Sequence, residues 1–227
     1  MGLLLHIESA SKNCSVALAK EGTLVALEEM TTPHYSHAEQ LHPFLQKLFE
    51  KASCTPADLD AVAVSKGPGS YTGLRIGVAA AKGLCFALEI PLIALNTLQM
   101  MIQPHLKNEK HFLIPMLDAR RMEVYTAVFD GKGNEVQAAW AEVLSADSFK
   151  DLLGKQKALV FGEGAHKFKA LNPNENIHFL EGFDYPSAQA MVSLAYDAFQ
   201  NKQFEDVAYF EPFYLKEFIG TPPKPKL

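Results

Sequence analysis

Cysteine is scarce in this chain: Cys14, Cys54 and Cys85 stand alone among 227 residues with no Cys-x-x-Cys pair, which excludes a disulfide framework and a thiolate zinc site. Long apolar runs are missing as well. No stretch reaches the roughly 18 consecutive apolar residues of a membrane-spanning helix, and the start MGLLLHIES lacks the basic opening and extended apolar segment of a secretory signal. A cytoplasmic protein without membrane attachment is expected. Positive charge is never concentrated: 21 basic residues face 26 acidic ones, for a formal net charge of −5. Affinity for nucleic acid would therefore need a local basic patch or another subunit. Gly-Lys-Ser/Thr is absent, which excludes a P-loop, and neither a nucleophile elbow nor His-Glu-x-x-His marks a protease.

What is present is the composition of a folded protein, 48% hydrophobic and 21% charged, with enough chain for one large domain or two smaller ones. The patterning favours two. Residues 3–7, 14–19 and 23–28 read as three strands of a meander whose first turn, from Glu8 to Asn13, is polar. A helix over 36–52, a strand over 58–65, a helix over 73–88, a strand over 92–95 and a helix from Asn96 or Thr97 to about His105 complete an α/β unit. From residue 112 the series recurs: strands over 112–117, 124–129 and 135–143, a short helix from Ser145 to 153, a strand over 158–161, a helix after Gly162-Glu163-Gly164, a strand over 177–180, and a long helix from Ser187 to Asn201. The division expected is residues 1–106 and 107–227, duplicated subdomains facing one another, with a flexible tail over 220–227.

The most informative stretch is 67–88, GPGSYTGLRIGVAAAKGLCFAL. Its loop has the spacing Gly67-x-Gly69-x-x-x-Gly73, one residue too long for the dinucleotide fingerprint, so as a phosphate cradle it is weak and a tight strand-to-helix turn is favoured. The helix that follows carries two apolar seams. Leu74, Val78, Ala81, Cys85 and Leu88 form one, directed at the chain's own sheet. Gly73, Ile76, Gly77, Ala80, Gly83, Leu84 and Ala87 form the other. Glycine inside a helix costs on the order of 1 kcal/mol against alanine, so three of them imply that another backbone comes close. That backbone is expected to be a partner's.

His34, His37 and His42 fall within nine residues at the start of the first helix and invite a metal hypothesis. His37 and His42 are five apart, roughly 140° around a helix, so their rings diverge, and capping or solvated histidines are expected instead. In the same helix Ser36 and Glu39 have the spacing of a capping box, Ala38, Leu41, Leu45, Leu48 and Ala52 make an apolar stripe, and Pro43 should kink the start.

Three blocks, GPGSYTGLRIGVAAAKGL, DARRMEVY from Asp118 to Tyr125, and EPFYLK from Glu211 to Lys216, together resemble the TsaB family, also called YeaZ, in order and over most of the chain. The resemblance implies an α/β protein with the duplicated actin-like, sugar-kinase and Hsp70 ATPase fold, an RNase H-like architecture of two subdomains, each a mixed sheet with helices. It further implies a non-catalytic subunit that pairs with the metal-binding paralogue TsaD and the ATPase TsaE to place threonylcarbamoyl on adenosine 37 of tRNAs reading ANN codons. The partner face would be the first two helices, here Leu41, Leu45 and Leu48 with the second seam, and an isolated chain could homodimerise there. tRNA would be met only through the complex, and ATP or ADP would lodge weakly at its interface, with no cofactor or metal of the chain's own. A vestigial nucleotide cleft would comprise Glu8, Ser9, Ser11, Gly67, Gly69, Asp118, Gly162 and Gly164. Two departures favour inactivity: the paralogue's i, i+4 histidine pair is broken, since Leu41 follows His37 by four, and Glu8 stands where the superfamily's first phosphate loop usually begins with Asp. The competing reading is an active phosphotransferase, or a metallo-glycoprotease of the same fold. For a phosphotransferase Glu8, Asp118 and the Gly162-x-Gly164 turn are the candidates, with Asp118 favoured as a cap of the Arg120-Arg121 turn.

Overall fold

The computed structural model describes residues 2–32, 37–106, 110–171 and 174–216; the Ser36 cap, His34 and the tail over 220–227 lie outside them. Five strands build a first sheet: β1 (Leu3–Glu8), β2 (Asn13–Lys20), β3 (Thr23–Thr31), β4 (Ala61–Gly67) and β5 (Leu92–Asn96). Their order is β3-β2-β1-β4-β5, with β1, β2 and β3 antiparallel neighbours and β4 and β5 running parallel to β1. The second sheet, β6 (His111–Asp118), β7 (Glu123–Phe129), β8 (Glu135–Val143), β9 (Lys157–Phe161) and β10 (Ile177–Phe179), has the order β10-β9-β6-β7-β8. It repeats the first strand for strand, with β7 and β8 in the antiparallel meander and β9 and β10 parallel to β6.

The central strands of the first sheet are buried along nearly their whole length, which is why LLLHIE and AVAVS read as continuous apolar runs: helices cover both faces. Leu5, Ile7, Val16, Leu18, Val62 and Val64 meet α1 (His37–Ala52) and α2 (Tyr71–Leu88) on one face. The alternate residues Leu4, Ala17, Ala61 and Ala63 face α6 (Val192–Gln200) and the 3-10 turn Ala188–Met191. The small side chains on that face let α6 approach through its own Ala195 and Ala198. So the last helix, which chain order groups with residues 107–227, is a layer of the first sheet. A short helix, α3 (Thr97–Met101), lies between the halves, with Met100 in the first sheet's cluster and Leu98 and Met101 against Leu113, Leu117 and Phe161 of the second.

The second half's helices are abbreviated to α4 (Lys150–Leu153) and α5 (Ala165–Lys169). The helix expected from Ser145 does not begin there, because Ser145 and Ser148 side chains accept the backbone N–H groups of Asp147 and Ser145 and hold a turn instead.

Leu41, Leu45 and Leu48 are buried beneath α1 in the first sheet's core. They cannot be part of a partner face, since the i, i+3, i+4 stripe of an amphipathic helix on a sheet is consumed by that sheet. The outer side of α1 is polar, with Gln46 donating to Glu50 at 2.9 Å.

Candidate functional site

α2 is set by Ser70, whose side chain accepts from Gly73 N, and ends at Glu89 in the left-handed conformation. Two of its three glycines answer to the chain itself. A Cβ on Gly73 would lie 2.1 Å from Ser9 O, and one on Gly77 2.1 Å from Ser9 Oγ, whereas Gly83 has nothing within 4 Å. The close neighbour inferred from these glycines is therefore the chain's own Ser9, by its backbone at Gly73 and by its side chain at Gly77, and of the three only Gly83 faces open space. The core seam Leu74, Val78, Ala81 and Cys85 is buried, and Ile76, Ala80 and Leu84 are half-buried against the same cluster. The solvent line of the helix is Arg75, Ala79, Gly83, Phe86 and Ala87, with Phe86 at 82% exposure.

Of the two cations of α2, Lys82 is drawn off that line and Arg75 stands exposed at its N-terminal end. Lys82 Nζ reaches back to the carbonyls of Ala208 and Phe210 at 3.2 and 2.9 Å, and Arg75 donates to the Tyr71 hydroxyl at 3.1 Å while lying over its ring. The segment that receives Lys82 runs alongside: Glu205 bridges to Leu92, Phe213 N donates to Lys66 O, and the Tyr214 ring packs 4.9 Å from Tyr71. Phe86 and this segment are what sequence reasoning missed. The signal was Phe86 itself, an aromatic on a long helix that fits neither seam.

The polar loop after β1 is closed. Glu8, Ser9 and Ser11 are buried, and the glycine turn folds over them: Ser70 N donates to Ala10 O at 2.6 Å, and a Cβ on Gly69 would stand 2.4 Å from that same oxygen. Gly67, at φ +110°, has Phe213 O where its Cβ would be, 2.5 Å away, so only glycine fits both the backbone angle and the space. Glu8 Oε1 accepts from Ala10 N at 2.6 Å, while Oε2 has no hydrogen-bond partner. Burial pushes its carboxyl up to about 7, against the smaller opposing effects of Ala10 N–H and Ser65. His37 Nε2 lies 2.7 Å from Ser11 O, so this ring braces the loop from α1, while His42 faces solvent.

Gly69 and Gly73 are thus brought onto Ala10 and Ser9 of the loop and Gly67 onto Phe213, as packing rather than as a cradle. The second-half candidates lie opposite. Gly162, at φ +103°, and Gly164 press on β6 and β7, where their Cβ atoms would stand 2.2 Å from Met116 O and 2.7 Å from Val124 Cγ1 respectively. Between them Glu163 reaches Lys12 across the halves at 3.7 Å. Asp118 Oδ1 accepts from Arg120 N at 2.5 Å and from Lys167 Nζ at 2.8 Å, so it caps the turn of the two positive-φ arginines. A metal-bound triphosphate needs exposed carboxylates and free loop N–H groups. The one carboxylate of the first-half loop, Glu8, is buried, so that loop presents no exposed carboxylate to such a ligand.

Two mixed sheets of one topology, each led by an antiparallel meander and facing one another, define the actin-like, sugar-kinase and Hsp70 ATPase class. The activator of 2-hydroxyisocaproyl-CoA dehydratase from Clostridium difficile shares the fold at a TM-score of 0.51 and 11% identity, over 88% of this chain and 97% of that one. A Pseudomonas aeruginosa structure described as similar to peptidase YEAZ superposes far better, with TM-score 0.82 and 25% identity over 95% of this chain and all of that one. The family model described as TsaD, tRNA N6-adenosine threonylcarbamoyltransferase, matches residues 32–225, and TsaB of Bacillus subtilis (strain 168) is 32% identical over 94% of this chain and 93% of its own. The chain belongs to the TsaB family, which is named for tRNA threonylcarbamoyladenosine biosynthesis.

Proposed function

We propose that the chain is a non-catalytic subunit of tRNA threonylcarbamoyladenosine synthesis, a docking scaffold for a catalytic paralogue of the TsaD type that works with the ATPase TsaE. The observation that carries this reading is the solvent face of α2, where Ala79, Gly83, Phe86 and Ala87 leave an apolar line beyond the exposed Arg75, with Lys82 held by the carbonyls of Ala208 and Phe210. Lone exposed apolar residues need no explanation, but an aligned run with a bare phenylalanine fits a partner. The closed Glu8 loop supports the absence of chemistry on this chain. tRNA is met through the complex, as the acidic balance suggests, and ATP or ADP binds weakly at the shared interface rather than in this cleft. An isolated chain would pair with a second copy through the same face.

The test is reconstitution. The purified chain alone should neither hydrolyse ATP nor modify tRNA, and the paralogue, TsaE and a threonylcarbamoyl donor should require it for threonylcarbamoyl transfer. Phe86→Arg should melt as the wild type does and fail to co-elute with the paralogue. Turnover by the lone chain that survives repurification and is lost in Glu8→Gln would replace the scaffold with an enzyme.

A further inference from the structure

One cavity is separate from both the glycine loop and the α2 face. It holds about 710 Å³ between the end of the β2–β3 hairpin, the segment after α3, and the chain from Gly182 to Ser193. That volume is ordinary for a small-molecule site. Its apolar wall is Met101, Phe161, Phe183 and Tyr185. Phe183 follows Gly182, whose φ of +81° turns the chain, and leaves 44% of its surface open. His105 stands edge-on to that ring at 4.5 Å and also packs on Phe161, so the aromatic wall is braced from behind.

The charged groups lining the cavity have one sign. Among the described residues they are Glu29 and Asp184, while Lys12, close enough to act on Tyr185, lies outside the lining and pairs with Glu163 at 3.7 Å. Glu29 is held in place: its Oε2 accepts from Ser187 Oγ at 2.7 Å, Ser15 Oγ at 3.1 Å and Asn13 Nδ2 at 3.3 Å. All three donors are neutral. Asp184 Oδ1 bonds His166 Nε2 at 2.8 Å. A phosphate or carboxylate entering this space would meet carboxylates and ring faces, with the nearby Lys12 already paired with Glu163. An ammonium would meet a fixed negative charge and the negative faces of exposed rings, the pairing by which aromatic sites take organic cations.

We propose that this cavity binds a small organic cation, an amine carried on an apolar or aromatic body, with Phe183 as the ring that receives it and Glu29 as the counter-charge. The site is independent of the scaffold reading and excludes nucleotides. The experiment uses the full chain and three probes: tryptamine, indole-3-propionate, which carries the opposite charge on the same ring system, and ATP. Calorimetry should register tryptamine alone. Phe183→Leu, which keeps the apolar bulk and removes the π face, should weaken tryptamine about tenfold, and Glu29→Gln should do likewise. Phe183 is partly exposed, so its variant should fold even where loss of the Glu29 bonds disturbs the loop at Ser187. Binding of indole-3-propionate or ATP as tight as that of tryptamine would overturn the proposal. So would wild-type tryptamine affinity in Phe183→Leu, or an absence of tryptamine binding at millimolar concentration.

Discussion

Two buried titratable side chains on β1, one acidic and one basic, are both kept neutral by burial, and their pH dependences run against each other. Glu8 has its carboxyl raised from 4.5 to about 7 by burial. The folded chain keeps a proton that the unfolded chain releases, so this contribution is full below pH 4.5 and is lost as pH rises through 7. His6 is lowered from 6.5 to about 4 by burial, opposed by its hydrogen bond to Ala17 O. It stays neutral where the unfolded chain is charged, so its contribution is full above pH 6.5 and is lost as pH falls through 4. Between pH 4.5 and 6.5 the two slopes cancel. Glu8→Gln removes only the falling limb, so its melting temperature relative to wild type should climb from pH 4.5 to 7. At about 1.4 kcal/mol per pH unit the gain is roughly 3 kcal/mol at most. A difference between the two proteins that stays flat with pH would mean that Glu8 is ionised in the fold. The sequence located Glu8 in a polar turn, but its burial was not legible there, because it depends on Gly69 and Gly73 closing over the loop from sixty residues away.

At the scale of one element, α2 separates what glycine does for the fold from what it does for the surface. Gly73→Ala drives a Cβ to 2.1 Å from the backbone oxygen of Ser9 and should lose several kcal/mol or fail to fold. Gly77→Ala meets the unpartnered Ser9 hydroxyl, which can rotate aside, and should lose less, whereas Gly83→Ala meets open space and should gain up to about 1 kcal/mol from helix propensity alone. Thermal melting of the three variants decides it, and a loss at Gly83 equal to that at Gly73 would contradict the packing. Ala81→Arg buries a guanidinium in the core and should aggregate the chain. Ala80, half-buried on the edge of that core, is a poorer probe of docking than Ala79, which is exposed. Ala79→Arg should spare the melt and weaken a partner by several kcal/mol. Periodicity gave the two seams of this helix, because 3.6-residue spacing places side chains on faces whatever covers them. It could not say that the covering atoms were the chain's own, the Ser9 backbone at Gly73 and the Ser9 side chain at Gly77. A glycine records a close approach and not the identity of the neighbour.

At the scale of the whole molecule, chain order and layer order part company. The duplicated meander and the parallel strands were legible, since turn residues and strand lengths recur in both halves. The placement of α6 was not, because an apolar helix stripe fits either sheet. What decides it is the row of small residues Ala17, Ala61 and Ala63 on the far face of the first sheet, which admits Ala195 and Ala198 closely. The first sheet is thus completed by residues that follow the whole second half. Beyond α6 the chain is fastened to the first sheet by the bridge of Glu205 to Leu92 and the bond of Phe213 N to Lys66 O, and then to the second by Lys216 on Glu123. A fragment of residues 1–106 would leave Leu4, Ala17, Ala63, Ile93 and Leu95 uncovered on one face, and a sheet open on a face built for burial aggregates. That fragment should be insoluble or bind hydrophobic dye without a cooperative melt. Rejoining residues 186–216 to it through a flexible linker should restore a soluble, cooperatively melting sheet. If residues 1–106 melt cooperatively by themselves, the two halves are independent folding units and α6 is an accessory. If they do not, the helix closing the first sheet is supplied last, and the cavity lined by Ser187, Gln189 and Ser193 on the same returning segment forms only when the whole chain has folded.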